Sequence, residues 1–114
     1  PAEVEWERAA RGRSAAAGED SLSDVAWFDG NSGGRVHEVG RKLANGFGLY
    51  DMQGNVWEWV ADSGAVSERV LRGKSAMSGR QHVSVSARWT LSPTLKDKMI
   101  GFRCALDASR IHGD

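Results

Sequence analysis

The residues that could do chemistry in this sequence are few and scattered. Cys104 is the only cysteine among 114 residues, so no disulfide closes within the chain and no cysteine cluster can hold a metal. A redox mechanism using a cysteine pair is excluded, and the sparse usage suits a reducing compartment. Ser78 and His82 stand four residues apart and suggest a nucleophile and its base. No third member to orient the histidine and no oxyanion-hole signature accompanies them, so they read as ordinary polar residues. Gly46 and Gly48 lead into Leu49 and Tyr50, without the Lys-Ser or Lys-Thr of a phosphate loop. Lys96 and Lys98 around Asp97 read as a solvated loop. The tryptophans carry more information. Trp57 and Trp59 alternate with Glu58, so in an extended chain both indoles share one face, which reads as core; Trp6 and Trp27 read likewise. Trp89 lies between Arg88 and Thr90 in a polar stretch, where an exposed indole anchors a partner or plugs a surface hollow. Both readings of Trp89 stay open.

The elements that must position these residues are short. Glu3, Glu5 and Glu7 load the start of a helix over residues 1–11, where negative charge is favourable, and Ala2, Trp6, Ala9 and Ala10 form its apolar stripe. Gly12 can stop it. Residues 13–24 read as a surface loop, and the apolar burst 25–28 ends in the turn-rich residues 29–34. Val36 and Val39 mark a short extended piece. Strands are expected over residues 56–60, 69–73, 82–88 and 100–105; the third alternates, with Val83, Val85 and Ala87 on one face. Residues 90–99 read as a polar loop around Pro93, and the tail to Asp114 as loose. Fourteen glycines and two prolines argue for short strands and irregular loops over a helix bundle.

Composition bounds the function classes. Fifteen basic and fifteen acidic residues give zero net charge, which argues against a general nucleic-acid binder. No apolar run approaches the roughly 20 residues needed to span a bilayer. Pro1 opens the chain without a signal-peptide pattern, and the missing initiator Met points to a processed or trimmed chain. One domain over residues 1–114, with one core, fits this length.

Four blocks, in order, carry a resemblance. They are residues 3–12, then Phe47-Gly48-Leu49-Tyr50-Asp51-Met52-Gln53-Gly54-Asn55-Val56-Trp57-Glu58-Trp59, then Arg69-Val70-Leu71-Arg72-Gly73-Lys74-Ser75, then Ile100-Gly101-Phe102-Arg103-Cys104-Ala105. Together they resemble the formylglycine-generating-enzyme (sulfatase-modifying-factor) family over nearly the whole chain. The resemblance implies an α+β, C-type-lectin-like fold of that subtype, compact and loop-rich with small antiparallel sheets, anchored by Trp6, Trp57, Trp59 and Phe102. In the family's oxidase two cysteines hold copper; Ser78 and Val83 stand at those places here, and neither a hydroxyl nor an isopropyl group binds Cu(I). Cys104 falls in the closing strand, where it reads as a small buried apolar residue. His37, His82 and His112 lack the spacing implied by the family's iron-using branches. The resemblance also implies a calcium near Asn55 and Glu58; the competing reading is that Asn55 caps a turn and Glu58 pairs with an arginine. Asp51 and Asp62 read as turn carboxylates.

The chain most resembles the variable proteins of diversity-generating retroelements, in which the stretch before the closing Ile-Gly-Phe-Arg is rewritten by adenine-directed mutagenesis. Here that window is residues 76–99, and its interior departs from the family pattern while its flanks keep it. Lys74 replaces the usual second glycine and Ala76 the usual tryptophan, whereas Arg88 and Pro93 fall where such proteins hold those types. The resemblance implies a non-enzymatic ligand-binding protein that requires no cofactor and could take that calcium. Its face would comprise Ala76, Met77, Ser78, Gly79, His82, Ala87, Trp89, Thr90, Leu91, Ser92, Thr94, Leu95, Asp97, Lys98 and Met99. Trp89 and Met77 would grip a macromolecular ligand, a protein surface, with this chain itself at a virion or cell surface after assembly, and Trp89→Ala would weaken binding with the melting temperature nearly unchanged. Two other classes stay open: a fixed structural or assembly module of a phage or cell surface, and a divergent oxidase of the formylglycine-generating type.

Overall fold

In the computed structural model, which describes residues 1–12, 22–63, 69–92 and 97–106, with the side chains of 62 and 63 excepted, the expected first helix is α1 (Glu3–Arg11). The Glu5 carboxylate reaches back to accept the Ala2 N–H at 2.8 Å, using one of the donors a helix start leaves free. Trp6 and Ala10 are the buried part of its apolar stripe. Residues 22–25, expected in a loop, instead form the single turn α2 (Leu22–Val25), and Asp29–Ser32 forms α3. Leu22 and Val25 explain the first of these, since both pack on a buried cluster of Ala26, Phe28 and Val83. Val36 and Val39 form no strand; both are exposed. Expectations for residues 13–21 and 107–114 lie outside the described residues.

The strands are β1 (Trp57–Ser63), β2 (Arg69–Arg72), β3 (Arg88–Leu91) and β4 (Ile100–Gly101). They form one sheet in the order β3-β2-β1-β4. Pairs β1–β2 and β2–β3 are antiparallel, while β4 runs parallel to β1, so the sheet is single and mixed rather than several antiparallel pieces. Trp6, Ala10, Met52, Val60 and Val70 make the main core, between α1 and one face of this sheet. The Trp6 Nε1–H donates to Glu58 Oε1 at 2.9 Å, so the fully buried indole keeps its polar end satisfied.

Two expected strands fail for identifiable reasons. Residues 80–82 make a short 3-10 turn and residues 83–87 remain irregular. Val83 packs into the second cluster and Val85 against the main core, so the alternating pair is split between two sites. The carbonyls of Val85 and Ala87 accept from the Arg72 guanidinium instead of from a neighbouring strand. The closing strand stops after Gly101. Phe102, expected as an anchor, is 74% exposed, and Cys104, expected to be buried, is exposed as well. Trp59 and Trp27 are only partly buried, and Trp27 stacks on His37 with ring centroids 3.7 Å apart.

Gly54 is the glycine that the fold cannot spare. Its φ is +77°, and a Cβ there would lie 2.2 Å from the Trp27 carbonyl oxygen. Its close approach lets Asn55 donate its N–H to that same oxygen at 2.8 Å, fixing the stretch that leads into β1.

Candidate ligand-binding site

Three strands deliver one group of side chains to a common hollow. β1 supplies Trp57; β2 runs out through Gly73 into Lys74 and Ser75; β3 supplies Arg88 and Trp89, with Trp89 paired across from Leu71. Met77 and Ser78 close the group, which surrounds about 390 Å³. Trp57 and Trp89 meet at 5.5 Å between centroids, tilted by 49°. Trp89 therefore belongs to a strand rather than to the expected loop, and it is 46% exposed. It lines the hollow and also presents an exposed edge.

Lys74 sits at φ +62°, a left-handed backbone that side-chain-bearing residues seldom adopt. Its ammonium lies 5.0 Å from the Trp57 ring centroid, within cation–π range. Arg88 Nε donates to Glu3 Oε2 at 2.7 Å, and that hydrogen bond, with the carboxylate's charge, raises the Arg88 pKa above its ordinary value. The Ser75 hydroxyl oxygen accepts from the Met77 N–H at 3.2 Å, and the Ser78 hydroxyl oxygen from the Ser75 N–H at 3.0 Å.

The stretch 83–87 that leads into β3 is held by Arg72, buried to 4% side-chain exposure. Its Nε donates to the Ala87 carbonyl at 2.9 Å and one terminal nitrogen to the Val85 carbonyl at 2.7 Å. The other terminal nitrogen pairs with Glu3 at 3.0 Å, while the nitrogen on the Val85 carbonyl also pairs with Glu7. That hydrogen bond from Arg72 holds the Glu7 carboxyl below its ordinary pKa, against the upward push of burial. Sequence reasoning missed Arg72; its signal was the acidic i, i+4 pair Glu3 and Glu7, which needs a cation facing α1.

The expected binding residues divide. Met77 (60% exposed), His82, Ser92, Asp97 and Lys98 are exposed with Trp89; Ser78, Gly79, Ala87, Thr90 and Leu91 are partly buried. Thr94 and Leu95 lie outside the described residues. Ala76 and Met99 are buried, at 0% and 7% exposure, and serve as scaffold rather than face. Val83 is likewise core. No hydrogen bond joins Ser78 to His82 among the described residues.

The donors present decide which metals fit. A thiolate copper site does not fit, since Ser78 offers a hydroxyl already accepting from backbone and Val83 is buried hydrocarbon. For calcium, Asn55 Oδ1 accepts from the His37 N–H at 2.9 Å and its amide donates to the His37 carbonyl at 3.0 Å. Glu58 Oε1 takes Trp6 and Arg103 Nε at 2.6 Å, and Oε2 takes the Arg103 fork at 2.8 Å. With their oxygens serving protein donors, the pair does not fit an oxygen shell for a cation. Asp51, expected as a turn carboxylate, is buried and reaches across to another loop: Oδ2 accepts from the Gly40 N–H at 2.9 Å. No cluster of three or more His, Cys, Asp or Glu residues suited to a metal occurs among the described residues, and no helix among them is long and apolar enough to cross a membrane.

Comparison with known proteins places this geometry. Treponema denticola variable protein 1 superposes with a TM-score of 0.82 at 35% identity, covering 90% of this chain and 45% of that one. A formylglycine-generating enzyme of Streptomyces coelicolor is 31% identical over 150 aligned positions, spanning 99% of this chain and 48% of the enzyme. An inactive C-alpha-formylglycine-generating enzyme 2 of Bos taurus is 38% identical over 78, or 61% of this chain and 26% of that protein. The chain thus spans less than half the length of each of these relatives. Its α+β architecture is the C-type-lectin-like fold of the formylglycine-generating-enzyme subtype. The sulfatase-modifying factor enzyme 1-like domain matches residues 1–108, and the chain belongs to that family.

Proposed function

We propose that this chain is a non-enzymatic ligand-binding protein whose residues 76–99 form a diversified face, in the manner of diversity-generating retroelement variable proteins. The observation that carries the reading is how the window's backbone is held. Asn55 O accepts from the Ala76 N–H at 2.8 Å, the Asp29 N–H donates to Ser78 O at 2.9 Å, and the Trp57 N–H donates to Met99 O at 2.7 Å. Arg72 takes the carbonyls of Val85 and Ala87. Each of these anchors joins a main-chain atom inside the window to a residue outside it. Side chains such as Met77, His82 and Trp89 can therefore change without touching the bonds that fix the loop. The likeness to a variable protein supports the same reading, as do Ser78 and Val83 in place of metal-binding thiolates. The ligand would be a macromolecule, a protein surface.

Sequencing the gene's 3′ end across a source population, from Arg72 to Arg103, tests this. Substitutions should concentrate at template-adenine codons for exposed window residues and spare the scaffold positions Ala76, Val83 and Met99. A uniform window would refute diversification and favour a fixed binding or assembly module. Turnover of a thiol peptide with copper or iron would restore the oxidase.

A further inference from the structure

The hollow between Trp57 and Trp89 has a one-sided hydrogen-bond character. Lys74 and Arg88 line it, and no carboxylate does. Arg88 already shares Glu3 with Arg72, whereas no carboxylate pairs with Lys74 among the described residues. The hydroxyl oxygens of Ser75 and Ser78 each accept a backbone N–H. Neither hydroxyl proton has an acceptor among the described residues, so each hydroxyl has its O–H left to give. The free polar capacity is thus an ammonium, the unpaired end of a guanidinium and two hydroxyl protons. The remaining wall is two indoles and the Met77 thioether, which suit methylene groups.

We infer that this hollow takes a carboxylate, the side chain of a glutamate in an acidic loop of a protein partner. The inference rests on reading the face as a ligand-binding surface. The carboxylate would sit against Lys74 and the serine hydroxyls, its methylenes on Trp57 and Trp89. Charge complementarity selects this partner: a basic or amide side chain would leave the ammonium desolvated and uncompensated.

The test uses the whole chain, labelled with nitrogen-15, and two probes: Ac-Gly-Glu-Glu-Gly-amide and its isostere Ac-Gly-Gln-Gln-Gly-amide. Indole N–H signals are assigned by single Trp→Phe variants. The glutamate peptide should shift the Trp57 and Trp89 indoles saturably, leave those of Trp6 and Trp27 in place, and weaken as salt is raised. The glutamine peptide should shift none of them. Lys74→Met, which keeps the stem over Trp57, should weaken the glutamate peptide about tenfold. Lys74→Gly, at home at this φ, should do the same in a background with no backbone strain. Equal response to both peptides, or undiminished affinity in both Lys74 variants, would overturn the inference. So would no response to the glutamate peptide up to about 10 mM, a concentration that detects even weak complexes. Glutamate-selective binding alongside a uniform gene would leave this inference standing and remove diversification; a diversified gene without that selectivity would do the reverse.

Discussion

Arg72→Met tests whether the candidate face is fixed by a single buried cation. Methionine keeps most of the aliphatic stem but loses the guanidinium, whose carbon lies 5.2 Å from the Trp6 ring centroid, so the measured effect belongs chiefly to the lost donors, with that ring contact a smaller part. The two bonds to the Ala87 and Val85 carbonyls, at 2.9 and 2.7 Å, are charge-assisted, and each contributes about 1.5 kcal/mol. The carboxylates of Glu3 and Glu7 keep partial contact with water, at 20% and 35% side-chain exposure. They also retain other cations, Arg88 and Arg11, so their release adds little. The expected loss is therefore about 3 kcal/mol, the lower end for breaking a buried charge pair. For a chain of this length that is a fall in melting temperature of roughly 12 °C. Urea and thermal unfolding, followed by circular dichroism and tryptophan fluorescence, measure it. Arg72→Lys should recover only part, because one ammonium cannot serve both carbonyls and the acidic pair as the guanidinium fork does. A fall of less than about 4 °C in the methionine variant, or a lysine variant equal to the parent, would refute the assignment of Arg72 as the cation that holds residues 83–87.

Acid unfolding should carry the mark of the same residue. The Glu7 carboxyl is lowered by its hydrogen bond to Arg72, so the stability it adds is present above its unfolded pKa and is lost as pH falls through the lower folded one. In Arg72→Met the acid limb of a stability–pH profile should be shallower; an unchanged limb would remove Glu7 from that coupling. Gly54→Ala places a methyl group 2.2 Å from the Trp27 carbonyl at φ +77° and should cost more than about 3 kcal/mol. Gly33→Ala, at φ +68° with open space around it, should cost about 1 kcal/mol, so equal melting curves for the two would contradict the packing argument. Because the polar atoms of Asn55 and Glu58 serve His37, Trp6 and Arg103, calcium or EDTA should leave the melting temperature unchanged. A reproducible rise with calcium would show that these partners yield to a cation. Trp89→Ala should abolish the response to the glutamate peptide; because half the indole is covered, it should also lower stability by about 2 kcal/mol, which corrects the expectation from sequence that the melting temperature would hardly change. Full binding by that variant would remove Trp89 from the hollow.

The sequence by itself determined the family, the first helix, the strands around Trp57 and Val70, and the absence of copper-binding thiols. These are local facts: helix-period spacing, short apolar runs and the identity of residues in ordered motifs. Trp6 was legible as core because its helical neighbours form a stripe, and Glu58 was legible as an arginine's partner as one of two readings. Only the tertiary structure decided which arginine that was, Arg103, 45 positions away, and that Phe102 beside it faces outward. It alone showed that Ala76 and Met99 belong to the scaffold and that the alternation around Val83 and Val85 is divided between two clusters. The common reason is that these outcomes depend on long-range partners. Alternation of apolar residues gives a strand only when a neighbouring backbone exchanges hydrogen bonds with it, and here the Arg72 guanidinium donates to the carbonyls in place of a neighbouring strand's N–H groups. The hollow itself is decided the same way: Trp57 lies on β1, Lys74 just past β2 and Trp89 on β3, and only the sheet order that sets these strands side by side brings two indoles together with an ammonium that no carboxylate pairs among the described residues.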